Sequence, residues 1–99
     1  MASSRIESSL EQLTYTRGVV GIVVCSRDGI PIRDTFQDMD RQQPIAYASF
    51  AADLVQNASP ISERAGELLS IRVRTSNNEV IVRTNGKYIV CIVQEPHTE

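Results

Sequence analysis

The sequence predicts an α/β domain of the α+β kind: one five-stranded, mainly antiparallel sheet with helices on both faces, in the order α-β-β-α-β-β-β. Three observations predict it. Two short runs near opposite ends of the chain, VVGIVVC (19–25) and KYIVCIVQ (87–94), are apolar on both faces, as strands covered on both sides must be. Two other stretches carry apolar residues at helical spacing. Asp28-Gly29 and Asn85-Gly86 each stand between β-rich runs, where the chain is expected to reverse.

Residues 3–17 read as a helix, with Ile6, Leu10 and Leu13 on one stripe. Ser4 and Glu7 have capping-box spacing, and Gly18 supplies a stop. The run 19–25 is short and valine-rich, which favours a strand. Gly21 within it marks a bulge or a close approach by a neighbouring helix. Ser26-Arg27-Asp28-Gly29 is a turn, and IPIRDTF (30–36) is its return strand. Pro31 has no N–H for a ladder, so this strand belongs at an edge.

After the polar segment 37–44, a second helix fits 44–58, with Pro44 tolerated in its first turn. Ile45, Ala48, Ala51, Ala52, Leu54, Val55 and Ala58 form a broad apolar face, and its alanines let another element approach closely. Pro60 is expected to end this helix, with Ser59 capping a short new turn over 60–65. In 67–75, Leu69, Ile71 and Val73 alternate with Arg72 and Arg74, giving one dry face and one wet or partner-facing one. Asn77-Asn78 makes a turn, 79–84 is the next strand, and Asn85-Gly86 signals a type I′ hairpin into 87–94. With the two doubly apolar strands as central neighbours, the sheet order is 2-1-5-4-3, and the third strand is left at an open edge.

A chain of 99 residues fits a single domain, 1–99, that buries roughly 65% of its unfolded surface. Domains this small gain stability by oligomerising. The net charge of -2 argues against general nucleic-acid binding, which needs a basic patch. Cys25 and Cys91 lie in apolar runs, form no Cys-x-x-Cys, and read as buried reduced thiols rather than as a disulfide or metal site. No apolar stretch approaches the roughly 18 residues of a membrane span and no signal sequence is evident, so no membrane insertion and an intracellular location are expected.

The sequence holds no recognisable catalytic constellation. The single histidine, His97, is in the polar tail, where a general base is not held in place. Asp28, Asp34, Asp38 and Asp40 lack the regular spacing and closing Glu of a metal loop. There is no glycine-rich phosphate loop. No catalytic residue, cofactor site or metal site is therefore expected. An open edge strand and an alanine-rich helix remain, both suited to self-association.

These residues resemble the roadblock dynein light chains over nearly the whole chain. GVVGIVVCSRDGIPIRDTF is similar to that family's first hairpin, with its Gly-Ile-Pro-Ile segment after the turn. QPIAYASFAADLV is similar to its second helix, and LLSIRVRTSNNEVIVRTNGKYIVCIVQEP to its closing strands, with an Arg-x-Arg pair and a Gln-x-Pro ending. The resemblance implies a non-catalytic roadblock fold, related to profilin-like domains. Two copies, or a copy and a paralogue, would join third strands into a continuous ten-stranded sheet with second helices side by side. It implies an interface at Ile45, Ala48, Ala51, Ala52 and Val55 on the helix and at Leu69, Ile71, Arg72, Val73, Arg74 and Thr75 on the strand. It also implies dynein intermediate chains as partners and a cytoplasmic, microtubule-associated or ciliary setting. Pro60 is a departure, since the family's second helix is continuous. The alternative is a roadblock-type scaffold or regulator of a small GTPase outside dynein. The Gly-Ile-Pro-Ile hairpin and short Gln-x-Pro tail favour the dynein branch. A small-molecule sensor of the profilin-like type would need a cavity that the bulky apolar residues are expected to fill.

Overall fold

A computed structural model describes residues 18–37 and 40–96. The predicted helix over 3–17, Asp38 and His97 lie outside the described residues. Five strands, β1 (Val19–Ser26), β2 (Pro31–Asp34), β3 (Ser70–Arg74), β4 (Glu79–Thr84) and β5 (Tyr88–Gln94), form one antiparallel sheet in the order β2-β1-β5-β4-β3. This is the order expected from the doubly apolar character of β1 and β5. Those two strands pair along most of their length, from Gly21↔Val93 to Ser26↔Tyr88.

One helix is described, α1 (Gln42–Ala65), and it packs on the sheet face that carries Val23, Cys25, Val80, Val82, Ile89, Cys91 and Val93. Alternation along each strand sends Ile22, Val24, Ile81 and Ile92 to the opposite face, where they too are buried. The core is thus two-sided, and β1 and β5 are the strands that see both halves. Each fully buried Ile or Val contributes roughly 1.5–3 kcal/mol by leaving water, which makes this pair the main anchor of the sheet.

The turn between β1 and β2 is a three-residue loop. Ser26 N–H donates to the carbonyl of Ile30 at 2.9 Å, Gly29 N–H donates to the carbonyl of Ser26 at 3.0 Å, and Gly29 has φ +85°. That positive φ after a turn is the glycine-bulge hairpin pattern, so the Asp-Gly pair serves backbone geometry. Pro31 begins β2 at the outer edge of the sheet, as expected. β2 ends when Thr35 Oγ1 replaces a strand carbonyl and accepts the N–H of Ile22 at 2.9 Å.

Several expectations are corrected. α1 runs unbroken for 24 residues with Pro60 inside it, so no new turn begins at Ser59. Pro60 removes the N–H that would reach the carbonyl of Gln56. Gln56, Ser59 and Pro60 are all exposed, so solvent can satisfy that carbonyl, while Ser62 Oγ donates to the carbonyl of Ser59 at 2.7 Å. The Asn85-Gly86 hairpin is not type I′, because Asn85 does not have positive φ and Gly86 does, at +90°. Gly86 is instead the first central residue of the Asn85–Tyr88 turn, where type II′ places its glycine. At Gly21 the expected bulge is present, as a register shift against β5 between Val19 and Gly21, while what approaches it closely is the ring of Phe36 and not a helix. β3 starts at Ser70, which leaves Leu69 outside it and 71% exposed.

Candidate dimer interface

β3 is one of the two edges of the sheet, opposite β2, and among the described residues no strand lies beyond it. Alternate N–H and C=O groups of an edge strand point outward and are open to pairing with another chain. Ile71 and Val73 turn half-buried side chains toward the α1 side of the sheet, and Arg72 and Arg74 are exposed on the other side. The strand half of the sequence-predicted interface, Ile71 to Arg74, therefore sits on one accessible edge, with Leu69 and Thr75 flanking it.

The helix half is placed differently. Ala48 and Ala51 have no exposed surface, and Ala52 and Val55 are nearly as buried, all packed against the chain's own sheet. They have nothing left to offer a partner. Ile45 is 53% exposed but lies on the wrong flank. Ser49 and Ala52, one and two turns on, face Gly29 of the β1–β2 turn, at the β2 side of the molecule.

The flank beside β3 carries another stripe, Tyr47, Phe50, Leu54, Ala58 and Ile61, at steps of three, four, four and three residues. Tyr47 and Leu54 pack partly on the core edge next to Ile71 and Val73. Phe50 is 37% exposed and Ile61 is 62% exposed. Between helix and edge strand lies an open, mostly apolar groove of about 270 Å³, whose walls include Tyr47, Phe50, Val73 and Val80. The periodicity of these residues was present in the sequence, but it competed with the stronger alanine-valine stripe, which the sheet claims.

The groove is founded on a second aromatic, Phe36, which stacks on Tyr47 with ring centroids 6.0 Å apart. Phe36 is held in turn by its N–H to Asp34 Oδ1 at 3.0 Å, and Asp34 is ion-paired with Arg41.

Among the described residues no polar or charged side chain is buried, and no cluster of His, Cys, Asp and Glu suits a metal. No described helix is long and apolar enough to cross a membrane. The two thiols are free, and Cys25 donates weakly to the carbonyl of Ala48 at 3.8 Å. Burial pushes Cys25 up, and burial, with a smaller contribution from Cys25, pushes Cys91 up to about 12. Such thiols are neutral and unreactive at neutral pH.

A pH dependence follows. In the unfolded chain the Cys91 thiol loses its proton near its ordinary value of 9.0, and in the folded chain not until about 12. The folded form therefore binds more protons in between. The stabilising term is whole below pH 9.0 and is lost as pH rises toward 12. Urea midpoints compared at neutral pH and about 1.5 pH units above the free-thiol value should show a loss of roughly 2 kcal/mol that Cys91→Ala abolishes. An equal slope in the variant would contradict the burial argument.

The described fold is a five-stranded sheet with one helix on one face, and it leaves the β3 edge and an apolar helix flank open. Residues 5–95 match the Roadblock/LC7 domain family, and the chain belongs to that family. Solved structures with the same fold include a Roadblock/LC7 domain from Streptomyces avermitilis, with TM-score 0.75 and 16% identity over 89% of this chain and 73% of that one. MglB of Myxococcus xanthus is similar with TM-score 0.78 and 13% identity, over 96% of this chain and 79% of that one. The gliding protein MglB of Thermus thermophilus matches with TM-score 0.77 and 10% identity, over 93% and 72% of the two chains. At such identities the likeness concerns the fold alone.

Proposed function

We propose that this chain is a non-catalytic, dimeric roadblock scaffold or regulator that acts on a small GTPase outside dynein. The observation that carries the dimer is the apolar groove between Phe50 and Val73, open beside the unpaired β3 edge. Two copies would pair β3 strands for register and bury the Tyr47–Ile61 stripes against each other for most of the free energy. An interface of standard size buries about 1,600 Å² in total, and one strand with one helix flank per copy is the right scale. The MglB proteins of Myxococcus xanthus and Thermus thermophilus, the latter a gliding protein, share the fold, which supports a role outside that motor.

A dynein light chain, holding two intermediate chains together by avidity, is the second reading. The Gly-Ile-Pro-Ile hairpin favours it, and the structure builds this hairpin at the sheet edge opposite β3. A pull-down with the intact chain as bait separates the two readings. Mass spectrometry is expected to recover a small GTPase; recovery of dynein intermediate chains without one would overturn the first reading in favour of the second.

A further inference from the structure

We propose that the dimer carries, on the sheet face turned away from α1, a cluster of four arginines, Arg72 and Arg74 from each copy, that binds an acidic peptide segment. The inference rests on the dimer reading and adds a partner surface that exists only when two edges meet.

On that face the β3–β4 corner brings together the opposed pairs Ser70↔Arg83, Arg72↔Ile81 and Arg74↔Glu79. Three arginines and one carboxylate, Glu79, thus lie on this corner. Arg72 Nη1 reaches Glu79 Oε1 only at 3.4 Å, and that same oxygen accepts Gln94 Nε2 at the shorter distance of 2.8 Å. Arg74 and Arg83 make no hydrogen bond or ion pair among the described residues, and all three arginines are exposed. A chain whose net charge is -2 therefore concentrates an excess of two positive charges at its free edge.

Symmetry doubles the effect. Side-by-side helices require a two-fold axis perpendicular to the sheet. Opposed residues of an antiparallel pair point to the same face, so this axis pairs even-numbered positions of β3 with even-numbered positions. Arg72 and Arg74 of one copy then stand opposite or diagonal to those of the other, within roughly 5–8 Å. This is within the Debye length of about 8 Å at physiological salt, so salt only partly screens the repulsion among the four charges. A bound polyanion relieves that repulsion.

Carboxylates suit the cluster. A guanidinium fork binds a carboxylate through two parallel bonds. Arg72 and Arg74 are two residues apart, about 7 Å along the strand, which is the spacing of same-side residues in an extended peptide. A membrane or nucleic-acid surface presents its charge over a wider area and would also meet the acidic remainder of this chain. A short acidic segment meets the arginines with only Glu79 beside them on β4.

The test uses the intact chain, a fluorescein-labelled oligoglutamate peptide and fluorescence anisotropy, with sedimentation on the same samples. Dimeric native protein should bind the peptide, more weakly as salt rises, and Arg72→Gln/Arg74→Gln should bind roughly tenfold more weakly or worse while remaining dimeric. A dimer that ignores the peptide, or a double variant that binds it equally well, would overturn the arginine assignment and leave the dimer intact. A native protein that sediments as a monomer would overturn the dimer and, with it, the four-arginine cluster. Binding to phosphatidylserine vesicles but not to the peptide would overturn the peptide as occupant.

Discussion

Val73→Pro is expected to convert the dimer into a species that sediments at the 11.0 kDa of one chain. Successive N–H groups of an edge strand alternate between the neighbouring strand and the open side. Thr75 N–H donates to the carbonyl of Asn78, so by alternation the Val73 N–H points to Val80 in β4. Proline at 73 breaks that pairing, and the edge that the partner copy would join is lost. Ile71→Pro shares the direction and the expected outcome. Phe50→Asp and Leu54→Asp should act through the helix stripe without touching the strand backbone. Each removes a side chain whose burial contributes roughly 1.5–3 kcal/mol, which weakens dimerisation at least tenfold. Far-UV circular dichroism separates dissociation from unfolding, because the stripe variants should keep their helix signal. Unchanged dimers in both the strand and the stripe variants would exclude this interface.

The sheet was legible in the sequence because its controlling signals are local. β1 and β5 are apolar at odd and even positions alike, so they had to be central, and the order of the remaining strands followed from the hairpins. The edge position of β2 followed from Pro31, and the alternation of Ile71 and Val73 with Arg72 and Arg74 located the accessible strand. The helix side of the interface was not legible in the same way. α1 has two apolar stripes, and helical periodicity states which residues share a face without stating what that face meets. Ala48, Ala51, Ala52 and Val55 go to the sheet because small side chains let the helix sit close to it; Tyr47, Phe50 and Leu54 are left to line the groove. Pro60 misled for a related reason. A proline costs a helix one hydrogen bond and some crowding, and an exposed last turn tolerates both. In the Asn85-Gly86 hairpin the residue pair was right, but the turn is offset by one residue because Asn85 keeps its side chain for the N–H of Tyr88, at 3.1 Å.

Gly21→Ala carries the second large expected effect, because it couples the sheet to the groove. A β-carbon built on Gly21 would lie closer than 3.0 Å to three atoms of the Phe36 ring, where real side chains do not sit. Gly21 does not have positive φ, so the backbone itself accepts alanine. Two terms then oppose each other. Alanine restricts the unfolded chain, which stabilises by roughly 0.4–1 kcal/mol. Overpacking costs roughly 1–3 kcal/mol when the neighbour cannot yield. Here it yields poorly: Thr35 Oγ1 ties this segment to Ile22, Asp34 Oδ1 holds the N–H of Phe36, and the ring is stacked on Tyr47. Overpacking should win, with Tm falling by roughly 4–8 °C for each kcal/mol lost. Phe36→Leu in the Gly21→Ala background should recover part of the loss, since a smaller side chain at the same place removes the clash, and that non-additivity identifies the contact. Because the displaced ring supports Tyr47, and Tyr47 lines the groove beside β3, Gly21→Ala should also weaken the dimer, although Gly21 lies on β1, with β5 and β4 between it and the β3 edge. A variant that is more stable than the native chain and dimerises equally well would show that Phe36 repacks freely and that the aromatic stack does not shape the interface.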